Sequence, residues 1–118
     1  MARVLAVVPD LMFGSRVTEL LGAAGHAVTV AAGPEAVSGA QADVVVVDLV
    51  GDGSAATGLP ASLPAADRPA FLGIYGHTDP ETRRRALAGG YDQVVPRSRF
   101  MRVADALDMA QGRARGPV

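Results

Sequence analysis

The sequence predicts an α/β domain in which helices cover both faces of a parallel β-sheet. Two features of the 118-residue chain carry this prediction: five short apolar runs with the composition of buried strands, and helical or turn segments between them. The run DVVVVDL at 43–49 is the strongest strand, because four consecutive valines favour extended backbone and leave neither face polar. It therefore belongs at the centre of the sheet. Strands that alternate with helices pair in parallel through right-handed crossovers, which gives a three-layer sandwich.

The other elements follow from local patterns. After a first strand at 4–8, apolar residues recur at helical spacing between 17 and 24, and Gly25 ends that helix as a left-handed terminator. The remaining elements are a strand at 27–31, a brief helix at 34–37, the strand at 43–49, a loop at 50–70 with one helical turn near 61–66, a strand at 71–75, a helix that Asp79 caps and Gly89 and Gly90 end, a strand at 92–96, and a last helix that Ser98 caps. We expect a single domain over 1–112 and a polar tail at 113–118, with no output domain after it.

Composition excludes several classes of protein. The chain has no Cys, which removes disulfides, thiol catalysis and thiolate metal sites. No apolar stretch approaches the roughly 20 residues of a membrane span, and no signal peptide is recognisable, so we expect a cytoplasmic protein with no membrane partner. The net charge of −1 argues against nucleic acid as a partner. No glycine-rich phosphate loop and no nucleophile with a base is present, so we expect neither an enzyme nor a cofactor.

The predicted fold places chemistry at one edge of the sheet. In the flavodoxin-like arrangement, with strand order 2-1-3-4-5, function lies at the carboxyl ends of the strands. The residues that follow the apolar runs at those ends are Pro9, Asp10, Asp48, Tyr75, Gly76, His77, Arg97 and Ser98. We expect them to converge, and we call them the rim.

The segments VLAVVPD, DVVVVDL, FLGIYGH and AGGYDQVVPRSRF, in that order, resemble the receiver domain of two-component response regulators along essentially the whole chain. The resemblance implies that Asp48 stands where that family carries its phosphoacceptor. It also implies Mg²⁺ held by an acidic pair after the first strand, a hydroxyl residue after the fourth strand and a Lys after the fifth. These groups position and neutralise a phosphoryl group during transfer.

The chain departs from that family pattern at each supporting position. Counted back from Gly25 without a gap, Val8 and Pro9 fall on the acidic pair, and Asp10 lies one place beyond. A slip of one residue would restore one acid, but we favour the ungapped register, in which Asp10 caps the next helix. Tyr75 takes the hydroxyl position, and Arg97 and Ser98 take the positions of the Lys and the Pro that follows it. All eleven basic residues of the chain are Arg.

Arg97 gives the main hypothesis about the rim. A planar guanidinium pairs with a carboxylate through directed hydrogen bonds, whereas Lys acts as a movable point charge. We therefore expect a metal-free ion pair between Arg97 and Asp48 that holds the rim in one state. The alternatives are that Arg97 points to solvent and that Asp48 only accepts hydrogen bonds from the next loop. His77 is open between a pH-sensing or ligand-binding role and an incidental loop position.

The second half of the chain carries a candidate partner face. Residues 1–67 hold two Arg and seven acids, a net charge of −5, whereas 68–118 hold nine Arg and five acids, a net charge of +4. In receiver-like proteins the usual partner surface comprises the last two helices and the strand between them, and here that surface carries Arg83, Arg84, Arg85, Arg99, Met101 and Arg102. It would bind an acidic partner, a phosphate or a second copy of the chain, or it is ordinary solvated helix surface.

These observations predict a stand-alone, atypical receiver-like domain that signals by protein–protein interaction, without Mg²⁺-dependent phosphorylation. One alternative is a genuine phosphorelay receiver phosphorylated on Asp48, which would require Mg²⁺. A second alternative is a flavodoxin-like module that binds a small molecule or nucleotide between the 50–70 loop and His77.

Overall fold

The fold is a sheet of five parallel strands in the order β2-β1-β3-β4-β5, as predicted. A computed structural model describes residues 2–39, 41–50, 56–64, 68–76 and 79–102, with the backbone alone for 101–102. The strands are β1 Arg3–Val7, β2 Ala27–Ala31, β3 Val44–Asp48, β4 Ala70–Tyr75 and β5 Gln93–Pro96; the helices are α1 Leu11–Ala23, α2 Pro80–Ala88 and α3 Arg97–Arg102. Short 3₁₀ turns lie at Pro34–Val37, at 56–58 and at Pro60–Ser62.

Several element boundaries differ from the sequence prediction, and the predicted strands 43–49, 71–75 and 92–96 are observed at Val44–Asp48, Ala70–Tyr75 and Gln93–Pro96. The first strand ends at Val7 rather than at residue 8. The helical turn in the long loop lies at Pro60–Ser62, ahead of the predicted 61–66, of which 65–67 are outside the described residues. The predicted cap at Ser98 is wrong, because α3 already begins at Arg97 and Ser98 is its second residue. The prediction left Arg97 as a loop residue between the strand and the helix, whereas α3 follows β5 without any loop residue in the structure. The rest of the predicted last helix, from 103, is outside the described part of the chain.

Two apolar layers hold the sheet. On one face α1 and α3 cover the strands, and Val17, Leu21 and Phe100 are completely buried there. On the other face Ala86 of α2 and Val37 of the first 3₁₀ turn pack on the same central strands. All residues of β3 are buried, as its uninterrupted valines predict.

Both longer helices end in the same way. After α1 the amide of His26 donates to the carbonyl of Leu21, and Gly25 has φ +94°. After α2 the amide of Tyr91 donates to the carbonyl of Ala86 in the equivalent position. This is the Schellman motif, which requires a left-handed residue and explains the glycine that ends each helix. The longest described helix, α1, has 13 residues, and none in the described ranges has the length and apolar character of a membrane span.

Candidate functional site

The strand register brings the central rim residues to one edge of the sheet. Asp48 pairs with Ile74, and Tyr75 pairs with Pro96, the residue before Arg97. Asp48 is therefore at the end of the central strand, and α3 begins two strands away at the same edge. This arrangement follows from parallel pairing, because the carboxyl ends of all the strands meet there.

Asp48 is a buried carboxylate whose two oxygens both accept hydrogen bonds. Its side chain is 5% exposed. The Oδ2 atom accepts from Nη2 of Arg97 at 2.8 Å, and Oδ1 accepts from the backbone N–H of Val50 at 3.1 Å. The contact between Arg97 and Asp48 that the sequence predicts is thus present in the structure. The hydrogen bond that Asp48 accepts from the next loop, which was the alternative to that contact, is present as well.

Arg97 is held on a second side by an aromatic ring. Its guanidinium carbon lies 4.0 Å from the centroid of the Phe13 ring, in the geometry of a cation–π contact. The side chain is 38% exposed, while its Nε atom is buried and has no hydrogen-bond partner among the described residues. Sequence reasoning missed Phe13. The available signal was its place in the first turn of the helix after β1, which faces the same edge of the sheet.

The positions after β1 carry no acidic pair in the structure. Val8 follows the last β1–β3 pair, Val7 with Val47, so it lies level with Asp48, and it is buried in the apolar core. Pro9 is exposed. Asp10 is the N-cap of α1, where its Oδ1 accepts from the amides of Met12 at 2.9 Å and Phe13 at 3.2 Å. The interpretation of Asp10 as a helix cap is confirmed. Among the described residues no three acids or histidines are grouped so as to hold a metal ion.

The remaining rim residues lie around this pair without a described polar contact to it. Tyr75 is half-buried and packs against the core layer beneath α2, and Gly76 follows it, also half-buried. Ser98 is exposed on α3. His77 is outside the described residues, so its role stays a prediction.

The predicted partner face presents its arginines to solvent. Arg83, Arg84 and Arg85 are all exposed on α2, and Arg99 is exposed on α3. Arg84 donates to the carboxylate of Glu81, which lowers the pKa of Glu81 and raises that of Arg84. Met101 and Arg102 continue α3, but their side chains are outside the described set.

The described part of the long loop is packed against the end of α2. The hydroxyl of Tyr91 donates to the carbonyl of Ala56 at 2.8 Å, and burial raises the pKa of this hydroxyl. A Cβ on Gly89 would lie 2.1 Å from the carbonyl oxygen of Thr57, so the loop approaches the helix where only glycine fits. Residues 51–55, 65–67 and 77–78 are outside the described ranges, and the predicted ligand site between this loop and His77 stays a prediction.

The strand order is that of the flavodoxin-like fold, which response-regulator receiver domains share. Solved structures agree: the chain is similar to a response regulator receiver protein from Burkholderia phymatum, with TM-score 0.74 and 22% identity over 95% of this chain and 96% of that one. It is also similar to FixJ-N, with TM-score 0.77 and 18% identity over 100% and 97% of the two chains.

A third similar structure belongs to a much longer protein. NtrX from Brucella abortus, in complex with ADP, matches with TM-score 0.73 and 21% identity over 97% of this chain. The chain spans 29% of the NtrX chain. No protein-family model matches the sequence, and no curated protein matches it.

Proposed function

We propose that this chain is a receiver-type signalling domain that acts by binding a partner protein and does not use Mg²⁺-dependent phosphorylation. The observation that carries the proposal is the ion pair between Asp48 and Arg97. The receiver fold supports the signalling role, and the state of the rim supports its independence from phosphate.

The pair opposes phosphorylation because it occupies the carboxylate. A phosphoryl acceptor needs a free oxygen in line with the leaving group, and cations that neutralise the transferring group. Both oxygens of Asp48 already accept hydrogen bonds. The position level with Asp48, just after β1, is the apolar Val8, and Asp10 caps α1. Mg²⁺ requires several oxygen ligands, which these side chains do not supply beside Asp48.

The partner in this proposal is a protein with an acidic surface. Three exposed arginines on α2 and a fourth on α3 lie on the half of the chain with the positive net charge. Charge of one sign on a face steers association with an oppositely charged surface. Because Arg97 is the first residue of α3, its pairing with Asp48 holds the start of α3 against the sheet.

The test is a titration of the full chain with beryllofluoride and Mg²⁺, followed by amide signals in NMR spectra. Beryllofluoride imitates a phosphoryl group on a carboxylate. We expect the signals of Asp48 and Val50 to keep their positions both with Mg²⁺ alone and with Mg²⁺ and beryllofluoride together. The Asp48→Asn variant is the matched control, because it retains the shape of the side chain and lacks the acceptor carboxylate.

One result would contradict the proposal. If beryllofluoride shifts the rim signals of the original chain but not those of Asp48→Asn, then Asp48 accepts a phosphoryl analogue. The chain would in that case be a phosphorelay receiver, and Arg97 would have to leave the carboxylate when the group binds.

A further inference from the structure

The free edge of β2 exposes a regular set of backbone groups. The amide of Ala27 donates to Ala2, and the carbonyl of Ala31 accepts from Val8, so both residues direct their backbone groups toward β1. Successive residues of a strand direct these groups to opposite sides. The N–H and C=O groups of Val28 and Val30 therefore point away from β1, the one strand with which β2 pairs in the described part of the chain.

The two edges of the sheet differ in how they are protected. The opposite edge strand, β5, has only four residues and is followed directly by the charged Arg97. In contrast, β2 contains no charge and no proline over residues 27–33. Natural edge strands normally carry such residues because an uncharged edge pairs with another strand. The edge of β2 lacks these protections.

The sequence of β2 identifies its partner. Ala-Val-Thr-Val-Ala reads the same in both directions about Thr29. In an antiparallel pairing centred on Thr29, Val28 of one copy stands opposite Val30 of the other, where each pair exchanges backbone hydrogen bonds. We propose that β2 pairs with β2 of a second copy of this chain about a two-fold axis at Thr29, so that one sheet runs through both protomers. A two-fold contact of this kind is self-complementary, as a closed dimer requires.

Apolar surface beside the strand fits the same partner. The side chain of Val30 is on the α1 side of the sheet, where Gly14 allows close approach, and Val30 is 43% exposed. It lies in a groove between α1 and the edge, lined by Leu11, Gly14, Ser15, Thr18, Glu19 and Val30. Leu11 is 84% exposed on its wall. Pairing would place the partner's valine at the open side of this groove and remove apolar surface from water.

This dimer does not depend on the proposed function. β2 is the strand at one edge of the sheet. β5 is at the opposite edge, and α3, whose Arg97 reaches Asp48, follows β5. Self-association through β2 therefore leaves the arginines of α2 and α3 accessible to a different protein.

Sedimentation equilibrium of the full chain tests the proposal, with two substitutions at the edge. Val30→Lys adds a charge next to the centre of the contact, and Val30→Pro removes one outward N–H without removing a bond to β1. We expect a concentration-dependent dimer for the original chain and, for each variant, a dissociation constant raised about tenfold or more. Leu87→Lys is the matched control, since Leu87 is similarly exposed, on α2. It should leave the dissociation constant unchanged. Circular dichroism melting shows whether each variant is folded.

Amide hydrogen exchange supplies a second readout that does not depend on substitutions. The amides of Val28 and Val30 should exchange slowly at high protein concentration and rapidly at low concentration. The amide of Thr29, which faces β1, should be protected at both. A chain that stays monomeric at every concentration overturns the proposal. A dimer that survives both Val30 substitutions, or one that Leu87→Lys dissociates, overturns it as well.

Discussion

The ion pair at the rim makes a quantitative prediction that a double-mutant cycle checks. Arg97→Met removes the charge-assisted hydrogen bond to Asp48 and keeps an unbranched side chain over Phe13. Such a bond contributes about 1.5–3 kcal/mol, and its loss leaves the carboxylate of Asp48, 5% exposed, with the amide of Val50 as its described donor. Because Arg97 is 38% exposed, solvent screening reduces the effect. We expect Arg97→Met to lower the free energy of unfolding by about 2 kcal/mol.

The cycle combines Arg97→Met with Asp48→Asn, and urea unfolding measures all four proteins. If the two side chains interact as the structure shows, the two single substitutions together lower the free energy of unfolding by about 1–2 kcal/mol more than the double substitution does. The interaction would be refuted by a coupling within about 0.5 kcal/mol of zero, the range found for independent sites. Arg97 would then be a solvated side chain without a structural role.

Two further predictions concern α2 and the loop that packs on it. Gly89→Ala should lower the free energy of unfolding by about 1–3 kcal/mol, because the new methyl group would lie against the carbonyl of Thr57; chemical denaturation measures this. For Asp79, the hydroxyl and then the amide of Thr82 donate to its carboxylate and lower its pKa below 3.8. A lowered folded-state pKa gives stability that is present above the unfolded-state pKa and lost as the pH falls through the folded value. The melting temperature of Asp79→Asn should therefore lie below that of the original chain at neutral pH, and this difference should shrink below pH 3.8.

Each of these predictions has an internal control. Gly22→Ala adds the same methyl group in α1, where nothing lies within 4 Å, and it should leave stability unchanged or raise it slightly. Equal costs at Gly89 and Gly22 would mean that the loop does not approach α2 as described. For Asp79, a difference in melting temperature that stays constant across the acid range would show that its carboxylate is not the titrating group.

The fold was accessible from the sequence because its signals are local and repeated. The valines of β3 predict a central strand whatever the rest of the chain does, and Gly25 marks a helix end because a left-handed residue is needed there. The boundaries were less accessible. Serine is a common residue at helix caps, which is why Ser98 was predicted to be one. The chain turns from β5 into α3 one residue earlier, and the type of residue does not determine where the strand ends.

The site was predictable only where topology sets it. Asp48 ends β3 and Arg97 directly follows β5, two strands away, and parallel pairing brings the carboxyl ends of both strands to one edge of the sheet. Phe13 was not predicted to join them, since its contact with Arg97 depends on how α1 rotates over the sheet. The bond from Tyr91 to Ala56 was missed for the same reason: it depends on the path of a loop that has no periodic pattern.

The Asp48–Arg97 contact also imposes an order on the formation of the rim. The two residues are 49 positions apart, and Phe13 lies further still toward the N-terminus. During synthesis on the ribosome, Asp48 and Phe13 emerge well before the cation that joins them. Until β5 has added to the sheet, Arg97 cannot reach the carboxylate, and the described protein donor that remains is the amide of Val50. The rim is thus closed by a long-range contact that requires nearly the whole described chain to be present.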